Sequence, residues 1–136
     1  MPDLLALLAD IEAAKTPSRE LDARLLCALE APEGSFVEQN KYSDKFCIFE
    51  APVRMWLVVK ERPTKREHDA LALFDRLLSG ADYQLIGGGN WCRFRIIASP
   101  PKAGDACVDA SADRPDNHRA MAIVAAVIKA LIAQGR

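Results

Sequence analysis

The chain has 136 residues, half of them hydrophobic, with 18 Lys and Arg against 19 Asp and Glu and a net charge of −1. That length gives one domain of ordinary size with enough apolar material for a real core. The near balance of charge removes any bulk attraction to nucleic acid or to an anionic membrane and leaves only local patches to supply one.

The opening MPDLLALLADIEAAK starts acidic, and Asp10 and Glu12 break its apolar run, which is unlike a secretory leader. The apolar run near the C-terminus is broken by Lys129 and falls short of the roughly 18–20 residues a membrane span needs. A cytoplasmic setting without membrane partners is the expectation. Cys27, Cys47, Cys92 and Cys107 are scattered, with no C-x-x-C pair and no His/Cys cluster. Buried free thiols are therefore expected, rather than disulfides or a zinc site.

In chain order, Asp3–Ala14 reads as a helix with Leu4, Leu5, Leu8 and Ile11 on one face. Thr16 and Pro17 then suit a second helix start, and Leu21, Leu25, Leu26 and Leu29 form its stripe, so residues 3–30 suggest a helical hairpin, the alternative being a first helix that reaches across to a partner chain. Residues 31–45 are turn-rich and polar, either a surface loop or a distorted edge strand. Phe46–Glu50 and Val53–Lys60 read as strands separated at Ala51-Pro52. Thr64 and Glu67 have capping-box spacing for a helix that runs to about Ser79 and stops at Gly80.

Tyr83–Ile86 and Trp91–Ala98 are strands joined by Gly87-Gly88-Gly89-Asn90, a hairpin turn whose residues tolerate positive φ. The second strand alternates Cys92, Phe94, Ile96 and Ala98 against Trp91, Arg93, Arg95 and Ile97. Ser99–Asp113 is read as a long polar loop. Residues 115–134 form the final helix, with Asp113 as its cap and Pro115 in its first turn. Met121, Val124, Ile128 and Leu131 share one face, Ile123, Val127 and Ile132 widen it, and alanines fill most of the rest, so this helix is expected at the centre of the core. The expected fold is one α+β domain over residues 1–136, in the order ααββαββα: a mostly antiparallel sheet of about four strands, residues 46–98 holding the strands and one helix.

Several of these segments resemble a family. IEAAKTPSRELDARLLCALE is similar to the opening of a group of small phage and prophage proteins, in which a helix and a Pro or Gly break precede RELDARI and an Ala/Leu tail. Thr64 with Asp69, Ala70, Leu71, Ala72 and Leu73 resembles that group's T-x-S-x-D-A-A-L helix start, followed by a strand with Gly and Trp. AMAIVAAVIKAL is similar to its closing A-L-A-L-C-x-A-A-L segment. The group is the phage α-β-α sandwich domain family of uncharacterised proteins. The resemblance spans residues 4–30 and 63–134. It implies a fold and a phage or prophage source, and it brings no catalytic residue with it.

Four features invite a functional reading. The Gly87–Asn90 loop is glycine-rich, but a strand follows it rather than a helix carrying a Lys and a Ser/Thr, so a hairpin turn is favoured over a phosphate cradle. Arg54, Trp56 and Lys60 with Trp91, Arg93 and Arg95 would make a basic-aromatic surface if their strands share a sheet face. Such a surface could bind an acidic protein partner or single-stranded nucleic acid. His68 and His118 lie beside acids near helix starts without i+4 companions, the pattern of surface histidines. The acidic segment Ala103–Asp116 lacks the alternation and closing glutamate of a calcium loop.

No catalytic, cofactor-binding or metal-binding residue is expected. The leading expectation is a non-enzymatic phage or prophage binding protein in the host cytoplasm. It would inhibit a host protein or defence complex through a surface patch, anti-CRISPR proteins being one such class. The alternatives are a single-stranded nucleic-acid-binding accessory protein and a structural or assembly component of a phage particle. Oligomeric state is left open, a homodimer included.

Overall fold

A computed structural model describes residues 3–39, 45–50, 54–97 and 110–135; for residues 50 and 54–58 it describes the backbone. Among the described residues, four helices and six strands follow one another as α1 (Leu4–Ala13), α2 (Arg19–Glu30), β1 (Phe36–Gln39), β2 (Phe46–Glu50), β3 (Arg54–Val58), α3 (Glu67–Leu77), β4 (Asp82–Gly87), β5 (Cys92–Ile97), β6 (Ala110–Arg114) and α4 (Arg119–Ala133). The fold is α+β with antiparallel pairing throughout, as the sequence predicts. The number and grouping of strands differ: two three-stranded sheets, β1-β2-β3 and β4-β5-β6, replace a single sheet of about four.

The additional strands have identifiable causes. β1 (FVEQ) is the edge-strand alternative for residues 31–45, paired along β2 from Phe36↔Phe49 to Gln39↔Phe46. β6 (ASADR) contains no strong β-former and was expected in a loop. Register with β5 makes it a strand, because the pairing tucks Ala112 (3 % exposed) beneath the sheet and sets Asp113 opposite Arg93. The rest of that expected loop, residues 99–109 including Cys107, lies outside the described residues, as does Ala98, expected at the end of the preceding strand.

α4 is the organiser. Every residue from Ala120 to Ile128, then Ala130 and Leu131, is buried, and the helix contacts α1, α3, β5 and β6. Each large apolar side chain there contributes up to about 1.5–3 kcal/mol on burial. β5 lies on it with strict alternation, Cys92, Phe94 and Ile96 buried and Arg93 and Arg95 exposed. Phe94 stacks on Tyr83 (ring centroids 5.2 Å apart) and meets Phe74 of α3 edge-on (5.7 Å). The first sheet instead packs on α2, which reaches α4 through α1. A register irregularity between Ile48 and Phe49 bends that sheet.

Three helix starts depart from their expected caps, two of them because long-range partners claim the local capping side chains. α2 begins two residues late, with Ser18 Oγ accepting from the Leu21 N–H at 3.0 Å in place of Thr16. Thr64 caps nothing; its hydroxyl donates to Asp22 Oδ1 (2.7 Å), and α3 starts at Glu67 behind an uncapped Arg66. Asp113 is drawn into β6, so α4 starts at Arg119, and Asp116 Oδ1 accepts from the His118 N–H just before it (3.1 Å). The first cap, Asp3 on α1, accepts from the Ala6 N–H (3.1 Å).

Two buried charges fix how the helices are joined. Asp22 is fully buried and accepts from Arg62 Nε (2.5 Å), the Thr64 N–H (2.7 Å) and the Thr64 hydroxyl. Arg114, 7 % exposed, donates to the Ile11 and Ala14 carbonyls at the C-terminus of α1 (3.2 and 2.7 Å) and to both oxygens of Asp116 (3.0 and 2.9 Å). Terminal helix carbonyls lack intrahelical partners, and a cation there also meets the negative end of the helix dipole.

Candidate functional site

Helices contact the second sheet along the face that carries Phe94, and no described element covers the other face. Strand alternation places Ile86, Gln84 and Asp82 of β4, Arg93, Arg95 and Ile97 of β5, and Asp113 and Ser111 of β6 on that open face. Ile86 lies opposite Arg93 and Gln84 opposite Arg95. Trp91, at the hairpin tip, completes the face.

The hairpin tip is built by close approach. The Gly88 N–H donates to the Trp91 carbonyl (3.0 Å). A Cβ on Gly88 would stand 2.9 Å from Trp91 Nε1, and one on Gly87 would stand 3.0 Å from the Trp91 carbonyl oxygen. Glycine is needed here to make room for the indole, which lies over the turn. The positive φ expected of this turn does not occur; among the described glycines only Gly34, Gly80 and Gly135 have it. Trp91 is 43 % and Ile86 46 % exposed.

Charge on this face is mixed. Arg93 holds Asp113 with two bonds, Nε to Oδ1 at 2.6 Å and Nη2 to Oδ2 at 3.2 Å. That pairing keeps the Asp113 carboxyl below, and the Arg93 guanidinium above, their ordinary ranges. With Arg95 and Asp82 added, the face carries two cations and two anions around an exposed tryptophan and isoleucine.

The six-residue basic-aromatic surface does not form as one unit. Its condition was a shared sheet, and the two strands belong to different sheets because each pairs with its own hairpin neighbour while α3 intervenes. Trp91, Arg93 and Arg95 remain together. Arg54 is on β3, as is Trp56, and their side chains lie outside the described part; Lys60 is exposed just beyond that strand.

The other candidates resolve into structure. His118 lines a polar groove of about 330 Å³ between the starts of α3 and α4, with Thr64, Lys65 and Arg119, whereas exposed His68 is not part of it. In the acidic segment, Asp113 and Asp116 pair with Arg93 and Arg114, while Asp105 and Asp109 lie outside the described residues. Cys47 and Cys92 are buried and Cys27 half-buried, all as free thiols, and burial pushes the Cys27 and Cys92 thiols above their ordinary range. Among the described residues no three His, Cys, Asp or Glu side chains converge as a metal would need, and no helix is long and apolar enough to cross a membrane.

A groove of about 500 Å³ between α1, α2 and β1 was not anticipated; Cys27, Ala28 and Phe36 line it, with Arg24 and Glu33 at its polar positions. The Asp22 and Arg114 centres were likewise missed. An acid inside an apolar helical stripe, as in RELDARLL, was the available signal for Asp22. Comparison with family models, curated proteins and solved structures finds no match to this chain.

Proposed function

We propose that this chain is a non-enzymatic binding protein of phage or prophage origin, acting in the host cytoplasm by occupying a host protein through the open face of the second sheet. The observation that carries the reading is the exposed Trp91 beside Ile86 on a sheet face that no described element covers. Tryptophan and arginine are the residues that most often anchor protein interfaces, with a polar rim around them. Here Trp91 and Ile86 are the anchors and Arg93, Arg95 and Asp113 the rim. The resemblance to small phage proteins supports the source, and an inhibitor needs only a complementary surface. A defence complex is the kind of target this class takes, as anti-CRISPR proteins do.

The test is capture of host proteins by the tagged chain. One host complex recovered by the wild type and lost with Trp91→Ala plus Arg95→Ala supports the reading; recovery of nucleic acid alone overturns it.

A second reading, binding of single-stranded nucleic acid, is favoured by one observation: an exposed indole on the same strand face as Arg95. The bidentate Asp113 partner of Arg93 weighs against it, because a carboxylate already occupies the guanidinium that a phosphate would need. Oligonucleotide binding that falls steeply with salt and disappears with Arg95→Ala would establish this second reading in place of the first.

A further inference from the structure

We propose that β4 is a homodimerisation edge, two copies of this chain pairing β4 with β4 about a two-fold axis at Leu85 to make one continuous six-stranded antiparallel sheet. This does not rest on the host-partner reading, since it concerns the backbone edge of the sheet and not what its open face binds.

A free strand edge presents unpaired N–H and C=O groups and is a template for further pairing unless something blunts it. The edges in this molecule differ in that respect. β6 carries Asp113 and Arg114, β1 carries Glu38, and the β2–β3 pairing is interrupted by a register shift. β4 (DYQLIG) is six residues long and in unbroken register with β5, with neither Lys, Arg nor Pro. No described element runs along its outer edge.

The backbone phase can be read from the hairpin. The Gly88 N–H bonds the Trp91 carbonyl, so Gly88 and Trp91 form a hydrogen-bonded pair. Alternation back along the ladder makes Ile86/Arg93 and Gln84/Arg95 hydrogen-bonded pairs, and Gly87/Cys92, Leu85/Phe94 and Tyr83/Ile96 the open ones. Tyr83, Leu85 and Gly87 therefore each present an N–H and a C=O away from β5.

Those three residues complement themselves under a two-fold operation. With the axis at Leu85, Leu85 faces its own copy, and Tyr83 faces Gly87 of the second copy. The ring can lie across a residue that has no side chain, a pairing that favours edge glycines. Gln84 faces Ile86 of the second copy. The strand's single charge, Asp82, falls opposite Gly88, so no like charges meet. Tyr83 and Ile86, each 46 % exposed, would both gain a cross-strand neighbour. An isologous contact of this kind closes at two copies.

The experiment is molecular mass by sedimentation and light scattering from micromolar to millimolar chain. A monomer–dimer equilibrium is expected, with amide exchange at Tyr83, Leu85 and Gly87 slowing as the dimer fills. Gln84→Lys with Ile86→Lys places lysines opposite one another across the axis and should weaken dimerisation by more than about tenfold. Gln84→Lys with Ile86→Glu places opposite charges there and should restore it. Both positions are exposed, and circular dichroism checks that the variants fold. A wild type that stays monomeric, a dimer indifferent to the lysine pair, or open-ended association would each overturn the proposal, whatever the host capture shows.

Discussion

The two sheets of this protein are held by different physics. The second sheet is a packing product: β5 alternates without error, Phe94 and Ile96 press on α4, and Phe74, Tyr83 and Phe94 interlock their rings. The first sheet, irregular between Ile48 and Phe49, packs on α2, and the chain leaving β3 is held to α2 by polar bonds from Arg62 and Thr64 to buried Asp22. Alternation is enough to place a strand on a wide apolar helix. A short, bulged strand needs an additional specific tie, and in a dry site that tie must be fully satisfied.

Perturbations rank this comparison by size. Val124→Asp puts an unpaired charge in the helix that the second sheet packs on, a cost comparable to the whole roughly 5–15 kcal/mol stability of a domain. No soluble folded protein is expected, and recovery of native circular dichroism would show that α4 is not the centre.

Asp22→Ala leaves Arg62 and the Thr64 N–H without their partner and should cost about 3–5 kcal/mol in denaturant unfolding. Its effect should be lopsided, with exchange protection falling in β2 and β3 first and in β5 last. Equal losses in both sheets would remove the distinction drawn between them.

Acid should act through the α1–β6 junction. The hydrogen bonds from Arg114, and then the His118 N–H, hold the Asp116 carboxyl below its ordinary range. A carboxyl lowered on folding contributes stability that is fully present above its unfolded value of about 3.9, and that stability is lost as pH falls through the lower folded value. Unfolding free energy should therefore decline below about pH 4. Asp116→Asn should cost about 1–3 kcal/mol at pH 7 and flatten that decline. The smallest effect belongs to Arg93→Ala, whose bonds to Asp113 are at the surface. No measurable change in the unfolding midpoint is expected, although partner capture should weaken.

The elements whose evidence is periodic were legible in the sequence. Both N-terminal helices, α3, the β4–β5 hairpin and the central α4 all follow from apolar spacing and turn residues, although the buried face of α1 is Leu4, Leu7 and Ile11, and Leu5, expected on it, is exposed. What escaped depended on partners distant in sequence. β6 has no strand propensity of its own and exists through β5. Thr64 has the spacing of a cap, but Asp22, 42 residues earlier, takes its hydroxyl. The candidate surface was half legible: alternation put Trp91, Arg93 and Arg95 on one face, while nothing local in Arg54–Lys60 says which sheet that strand joins.

Arg114 bonds to a carbonyl 103 residues earlier, at Ile11, and that separation sets a schedule for synthesis. A ribosome releases α1, with Leu4, Leu7 and Ile11 ready for burial, long before it makes either α4 or the guanidinium that closes the end of α1. α1 is thus made well before α4, the element it contacts most, and must wait for it to find its place. Chains halted before Arg114 should show unprotected α1 amides, and protection should arrive only once residue 131 has emerged.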